Sequence, residues 1–238
     1  MLGGMLNLNQ AAQHVHLSPA ELKHAAQRGE LEAQERAGGE WYFDHRTLDE
    51  WAQRNLLAAN ERSLKEQHRV MMDEHRREAK KEWGVSELFA AETIDLAVQA
   101  KAKAGLIRDM TDLADKGGKV YDTDALFQEL VAREEAASTA IGHGVALLHP
   151  RFHDPYLFEE SFVAYGRSSR PIFFGAADGE GTRHFFLVCS TDHEMHLHIL
   201  ARLAILTHGT NLIERLDAAQ EIEEVLTILK ECEAEYRK

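Results

Sequence analysis

The chain is 238 residues long, enough for one sizeable core or for a small module beside a medium one. Its net charge of −13 argues against a protein that mainly coats nucleic acid, while leaving room for a small DNA-reading module. The sequence has neither an apolar run long enough to span a bilayer nor a signal-peptide pattern, so we expect a cytoplasmic protein that is not inserted in a membrane.

The first 55 residues predict a compact unit of three helices and a hairpin. Apolar residues have helical spacing over 6–15, and Ser18-Pro19 is typical of the start of a second helix, expected over 20–28. A turn at Gly38-Gly39 joins two extended runs into a hairpin wing, and a third helix is expected from Thr47. This order of elements is the plan of a winged helix-turn-helix.

Five short motifs in this unit are shared with a known family: Leu8-Asn9-Gln10-Ala11-Ala12, Leu17-Ser18-Pro19, Arg28-Gly29-Glu30-Leu31, Trp41-Tyr42-Phe43 and Leu48-Asp49-Glu50-Trp51. With them, the unit resembles the excisionase/MerR-type DNA-binding module. The resemblance implies that the second helix enters the major groove and that the wing touches the DNA backbone. The candidate DNA-contacting residues are Ser18, Lys23, His24, Gln27, Arg28 and Arg36.

The charge of this unit leaves two interpretations open. Residues 1–55 carry eight acidic and five basic side chains, and an acidic surface binds a polyanion poorly. The module therefore either reads DNA or serves protein contacts or dimerisation.

Residues 56–84 have dense charge of both signs and a single glycine, which predicts a solvated linker helix. Leu57, Leu64 and Met71 recur at seven-residue spacing, so a weak coiled coil could join two copies into a homodimer. A single connecting helix packed on its own domain is the favoured interpretation.

From Val85 onward, helices alternate with apolar strands. Helices are expected over 100–116, 122–135, 194–206 and 218–236, and strands over 145–148, 162–165 and 185–189. This alternation predicts an α/β layered domain with a mostly buried sheet. The expected domains are therefore 1–55, 56–84 and 85–238.

The run from Ser138 to Arg151 carries the strongest functional signal in the chain. It places small residues and two glycines in a turn, then a four-residue apolar strand, and then His149. An imidazole at the mouth of a sheet can accept and pass on a phosphoryl group, because it is a nucleophile near neutral pH. The alternative, with equal weight on this run alone, is a strand that merely ends in histidine.

Further motifs lie in matching order along residues 85–236: Arg133-Glu134, Ser138-Thr139, Ile141-Gly142-x-Gly144-Val145-Ala146, His149, Gly166-Arg167, Pro171-Ile172-x-Phe174-Gly175-Ala176, Asp178-Gly179 and His196-Leu197-x-x-Leu200-Ala201. In them, this region resembles the enzyme IIA domain of the fructose/mannitol class of the bacterial sugar phosphotransferase system, which includes nitrogen-regulatory members. The resemblance implies an enzyme IIA-type fold, a mixed sheet flanked by helices.

The resemblance also implies a role for each site residue. His149 is the phosphorylated residue, and Arg133 and His196 stabilise the phosphoryl group. Ser138, Thr139, Gly142 and Gly144 shape the site, and His143, which replaces the family's usual Asn, would border it as a third imidazole. We expect one ring nitrogen of the acceptor to be exposed and the other to be held by a backbone acceptor. His196, near a helix start, would add backbone N–H groups and the positive end of the helix dipole.

The same resemblance implies partner proteins, and at one place the chain departs from the sequence pattern of the family. Phosphocarrier protein HPr, or its nitrogen-branch counterpart, would donate the phosphoryl group, and a IIB/IIC permease component is a candidate acceptor. The chain reads Leu148-His149-Pro150 where the family reads Pro-His-Gly or Pro-His-Ala, and a proline that constrains the acceptor backbone predicts slower transfer.

Metals and cofactors are not expected from the sequence. Histidines are dense in Asp192-His193-Glu194-x-His196-x-His198, but neither a His-Glu-x-x-His motif nor paired Cys/His spacing is present. Two functions remain open: a working phosphotransferase component, or a non-enzymatic regulator whose N-terminal unit binds DNA or a partner.

Overall fold

The computed structural model describes residues 5–36, 38–58, 84–151 and 157–236. The chain divides into two compact units, one within residues 1–81 and the other within residues 82–238. Most of the predicted linker helix, with Leu64 and Met71, lies outside the described residues. Among the helices that the structure describes, none is long and apolar enough to cross a membrane.

The described part of the N-terminal unit combines three helices with a small antiparallel sheet whose strand order is β1-β3-β2. Its elements are β1 (Met5–Asn7), α1 (Leu8–His14), α2 (Pro19–Gln27), β2 (Gln34–Arg36), β3 (Glu40–Asp44) and α3 (His45–Ala58).

Side-chain caps fix where the first two helices begin. The Asn7 side chain accepts from the amides of Asn9 and Gln10, and Ser18 forms the equivalent capping box with Glu21. Because Asn7 is an extended cap, the residues before it cannot be helical. Leu6, which the spacing assigned to the first helix, instead lies in β1 opposite Phe43.

The C-terminal unit is built on one mixed five-stranded sheet, in the order β4-β7-β8-β6-β5. Its strands are β4 (Phe89–Val98), β5 (Ala140–Gly142), β6 (Val145–Leu148), β7 (Phe162–Ile172) and β8 (Thr182–Cys189). Its helices are α4 (Lys103–Lys116), α5 (Thr123–Ala136), α6 (His193–Gly209), α7 (Leu212–Ala218) and α8 (Ile222–Tyr236), with a 3-10 turn at Val85–Leu88. Helices flank the sheet, as the sequence predicts.

Two strands and one short helix were not predicted from the sequence. β4 was not expected, because this edge strand mixes charged and apolar residues instead of alternating them. β5 is only three residues long and was missed. The last helix, predicted over 218–236, begins at Ile222, and the short helix α7 before it was not predicted; the extended backbone of Ala219 separates the two.

The position of β6 in the sheet determines where His149 lies. All four of its residues are buried, and it pairs in parallel with β8 on one side and antiparallel with β5 on the other. A strand enclosed in this way ends where the sheet meets helices α5 and α6. The residue that follows it, His149, is therefore held at the edge of a rigid core.

Candidate functional site

The His149 imidazole is held by a hydrogen bond at each ring nitrogen. Nδ1 lies 2.7 Å from the carbonyl oxygen of Leu147, and Nε2 lies 2.9 Å from Nε of Arg133. A carbonyl can only accept and a guanidinium can only donate, so the proton of the neutral ring lies on Nδ1. The lone pair is therefore on Nε2, and the expected backbone acceptor is present.

The expectation of an exposed ring nitrogen is wrong for this conformation. His149 is only 1% exposed, and the neighbouring Pro150 is also buried. Arg133 contacts Nε2 directly, and the ring of His196 lies edge-on with its centroid 5.2 Å away. Another molecule can reach Nε2 only after Arg133 has moved off it.

Arg133 is a buried residue in the last turn of α5 and not a solvated one. It is 4% exposed, and its Nη1 donates to the carbonyl of Ala137, at 2.8 Å, just beyond the helix end. A guanidinium has five N–H donors in a rigid fork, so Arg133 can hold phosphoryl oxygens while one donor stays on Ala137.

His196 lies in the first turn of α6 and is fully buried. Asp192 caps this helix by accepting from the amide of Met195, and the amide of His196 donates to the Asp192 carbonyl at 3.1 Å. The amide of His196 is therefore used inside the helix. What His196 brings to the acceptor is its ring and the positive end of the helix dipole.

Glu134 and Lys103 support the acceptor end of the sheet, and the sequence predictions did not include them among the site residues. Glu134 is 5% exposed; its Oε1 pairs with Nζ of Lys103 at 2.6 Å. Its Oε2 accepts from the amide and hydroxyl of Thr139, at 2.9 and 2.7 Å. A glutamate in a charged helix looks solvated in sequence, and its place beside Arg133 was the one available signal.

Ser138 and Thr139 connect this support to the acceptor strand. The hydroxyl of Ser138 donates to the carbonyl of Phe174 at 2.9 Å, and the carbonyl of Thr139 accepts from the amide of Leu147 at 3.0 Å. The structure thus brings both residues to the acceptor end of β6, as positioning groups.

The Gly142-His143-Gly144 turn lies at the other end of β6. All three residues have positive φ, at 89°, 51° and 74°, and Asp178 accepts from the amide of His143 at 2.9 Å. Hydrogen bonds from the amides of Glu180 and His143 lower the pKa of Asp178. Four strand residues separate this turn from His149, about 13 Å of rise.

His143 therefore does not form a third imidazole beside the acceptor. Its ring packs edge-on against His208, with centroids 5.2 Å apart. His208 is at the C-terminal end of α6, whereas His196 is at its N-terminal end. The two histidine pairs thus mark opposite ends of the packing between β6 and α6.

In the N-terminal unit, several predicted DNA contacts are already engaged within the protein. Ser18 is the cap of α2, and its hydroxyl bonds Glu21 at 2.6 Å. Arg28 forms two 2.7 Å hydrogen bonds to Glu30 and lowers the pKa of that carboxyl. His24 and Gln27 are exposed on α2, and Arg28 is exposed as the C-cap of that helix. Lys23 is half-buried, and Arg36 lies over the ring of Tyr42.

Comparison with known proteins gives two family matches. The model of the phosphoenolpyruvate-dependent sugar phosphotransferase system, EIIA 2, matches residues 87–232. A helix-turn-helix domain model matches residues 5–56.

Relatives match the C-terminal region. A nitrogen regulatory protein of Bradyrhizobium diazoefficiens is 30% identical over 61% of this chain and 94% of its own. A fructose-specific EIIA component of the phosphotransferase system of Haloferax volcanii is 31% identical over 62% of this chain and 95% of its own. The fructose-specific EIIABC component of Bacillus subtilis is 28% identical, and the chain spans 23% of its length.

Solved structures of IIA proteins also align with this chain. The nitrogen regulatory protein IIA-Ntr of Neisseria meningitidis aligns with a TM-score of 0.56 and 26% identity, covering 61% of this chain and 98% of that one. The IIA mannitol structure of Escherichia coli aligns with a TM-score of 0.53 and 24% identity, covering 59% and 98%, and shares the fold.

Proposed function

Since the chain belongs to the EIIA 2 family of the phosphoenolpyruvate-dependent sugar phosphotransferase system, we propose that His149 is its phosphoryl acceptor. The family consists of phosphotransferase components, so the chemistry is transfer between histidine and a partner residue. Nε2 of His149 attacks phosphorus, the new N–P bond forms, and the bond between phosphorus and the donor nitrogen breaks. The donor nitrogen keeps the electron pair.

The observation that carries this proposal is the fixed tautomer of His149. The hydrogen bonds to Leu147 and Arg133 leave the lone pair on Nε2, so attack requires no prior loss of a proton from that nitrogen. After attack, the ring keeps its Nδ1 proton on the carbonyl of Leu147. The strand thus holds the ring in one orientation before and after transfer.

Arg133 is proposed to move from Nε2 to the phosphoryl oxygens. Phosphoryl transfer depends mainly on positioning and on stabilisation of the oxygen charge, and a buried guanidinium supplies both. His196 is proposed as the second stabiliser, from its ring 5.2 Å away. Ser138, Thr139 and the Lys103–Glu134 pair are proposed to hold the surrounding loop in place.

The proposed donor is phosphocarrier protein HPr or its nitrogen-branch counterpart, and a IIB/IIC permease component is one proposed acceptor. Either the phosphoryl group is passed on, or the phosphorylated state of the domain is itself the signal. A fused helix-turn-helix module supports the regulatory use. We further propose a cytoplasmic location and the division into 1–55, 56–84 and 85–238, with homodimerisation through 56–84.

The test is phosphorylation of the full chain. The protein is incubated with the general phosphotransfer enzyme, HPr and labelled phosphoenolpyruvate, and in parallel with the nitrogen-branch proteins. Acid-labile label is expected on the wild type and on His24→Gln, a histidine of the other unit, but not on His149→Gln. Circular dichroism shows whether each variant is folded.

Two results would contradict the assignment. Wild-type protein that takes up label from neither donor would exclude phosphoryl acceptance from these carriers. Label retained in folded His149→Gln would show that another residue is phosphorylated, and variants of His196 and His143 would then identify it.

A second function, DNA binding by residues 5–56, is favoured by the helix-turn-helix match and by the exposed face of α2. Lys23, His24, Gln27 and Arg28 would contact the major groove, with Ser18 at the helix start and Arg36 on the wing at the backbone. Glu30 already pairs with Arg28, so we expect weak binding that depends strongly on salt.

A gel-shift assay of the full chain with genomic fragments tests this function. We expect a shift at low salt that is reduced in Lys23→Ala and Gln27→Ala. If wild type gives no shift at low salt, the module serves protein contacts, and capture of a protein partner becomes the next measurement.

A further inference from the structure

Two histidines and one aspartate of the N-terminal unit bring their ligand atoms close together, in a different unit of the chain from His149. His14 ends α1, while His45 begins α3 and Asp49 follows one turn later on the same helix. Each residue offers one ligand atom, and these three atoms all lie within 4.8 Å of one another. The sequence prediction of no metal site did not consider this group, because its members belong to two different helices.

The distances are close to those of a coordination sphere. Nε2 of His14 lies 2.6 Å from one carboxylate oxygen of Asp49, and Nδ1 of His45 lies 3.2 Å from the other. The two rings are 4.3 Å apart at an angle of 49°. In a tetrahedral zinc site with bonds of about 2.0–2.1 Å, ligand atoms are separated by about 3.4 Å, so small side-chain movements suffice.

We propose that His14, His45 and Asp49 form a binding site for one divalent transition-metal ion of the zinc class. Two imidazoles and a carboxylate suit this class, and hard cations such as Mg²⁺ prefer an all-oxygen set. The three side chains are 20%, 44% and 12% exposed, so the ion can enter from solvent and water can complete its coordination.

The charges and protons balance without an outside reagent. Each coordinating nitrogen must lack a proton, so the ring proton that now faces Asp49 moves through solvent to the other ring nitrogen. Neutral imidazoles then lose no net proton, and the carboxylate offsets one of the two positive charges of the ion.

Binding would cross-link α1 to α3. The chain that leaves His14 turns directly into α2, the proposed DNA-reading helix, so the ion would brace the turn before it. Because the ion binds the folded unit and not the unfolded one, the melting temperature of this unit would rise with metal concentration. This inference is independent of phosphoryl transfer by His149.

The test is a Zn²⁺ titration of the chelator-treated full chain by calorimetry, compared with His45→Gln, Asp49→Asn and the control His24→Gln. His24 is an exposed histidine of the same unit that does not belong to the cluster. We expect wild type and His24→Gln to bind one equivalent more than His45→Gln, or to bind it at least about 10-fold more tightly. Zn²⁺ should also raise the melting temperature of wild type but not of His45→Gln.

His45 is the most exposed member of the cluster, so we expect its glutamine variant to keep the fold even if Asp49→Asn does not. Co²⁺ gives a second readout, since its visible absorption in a site of low coordination number should be lost in His45→Gln. The same stoichiometry and affinity in wild type and His45→Gln would overturn the proposal.

Discussion

The Nε atom of Arg133 lies 2.9 Å from Nε2 of His149, so the buried guanidinium donates a hydrogen bond to the lone pair of that imidazole. The same arginine is anchored to the carbonyl of Ala137 by another of its nitrogens. Arg133 can therefore move off the ring nitrogen while it stays anchored at the end of its helix.

Replacing Arg133 should slow phosphorylation of the protein. We expect Arg133→Met to lower the rate of label uptake from the phosphocarrier by about 10²-fold, because a positioned donor to the developing charge is lost. The rate for Arg133→Lys should lie between those of wild type and Arg133→Met, since lysine keeps the positive charge but lacks the forked set of N–H donors. Arg170→Met, an exposed arginine, is the control. A rate for Arg133→Met equal to that of the control would exclude this role.

Glu134 should matter for stability more than its neighbour on the same helix. Its carboxylate bonds Lys103 and Thr139 from a buried position, whereas Glu135 is exposed. Glu134→Gln should lower the free energy of unfolding by about 1–3 kcal/mol, because the hydrogen bonds from Lys103 and from the amide and hydroxyl of Thr139 lose their charged acceptor. Urea titrations followed by circular dichroism measure this value, with Glu135→Gln as reference. Equal midpoints for the two variants would contradict the prediction.

Much of the acceptor end was predictable from the sequence because it follows local rules. The apolar run of β6 predicted that His149 follows a buried strand, and in the other unit Ser18-Pro19 predicted the start of α2. The ion pair between Lys103 and Glu134 was not predictable, because it joins residues far apart in the chain. The distance between His143 and His149 was also not predictable from the turn motif, because it depends on the direction and length of β6.

Two glycines with similar backbones should respond differently to alanine. Gly142 and Gly179 have φ of 89° and 75°, but only at Gly142 would a Cβ meet another atom, 2.8 Å from Oδ2 of Asp178. Gly179→Ala should cost about 1 kcal/mol in free energy of unfolding from backbone strain alone. Gly142→Ala should cost more, because Asp178 must also move away from the amide of His143. Thermal unfolding of both variants gives the comparison, and equal losses would refute it.

The buried His184 should make the protein less stable in mild acid. Its Nδ1 lies 2.8 Å from the hydroxyl of Tyr165, its Nε2 lies 3.3 Å from Asp217, and burial lowers its pKa to about 4 from 6.5. Between these values the unfolded chain binds a proton that the folded one does not. The free energy of unfolding should therefore fall as pH decreases from 6.5 to 4, by up to about 3 kcal/mol, and this contribution should level off below.

His184→Gln should flatten this part of the pH profile, while His143→Gln, an exposed histidine on the turn before β6, should retain it. The measurement is the urea midpoint at half-unit pH intervals. A profile for His184→Gln that keeps the full slope of wild type would assign the acid sensitivity to other groups.

The sheet order also determines when, during synthesis, the surroundings of His149 can form. β6 emerges from the ribosome before β7 and β8, yet its parallel neighbour is β8, and His196 follows only after that strand. A nascent chain that ends before residue 182 already contains Arg133 and His149 but lacks the strand and the helix that hold them at one edge. The surroundings of His149 therefore assemble late in translation, so truncated chains would carry this histidine without the strand and the helix that surround it in the complete domain.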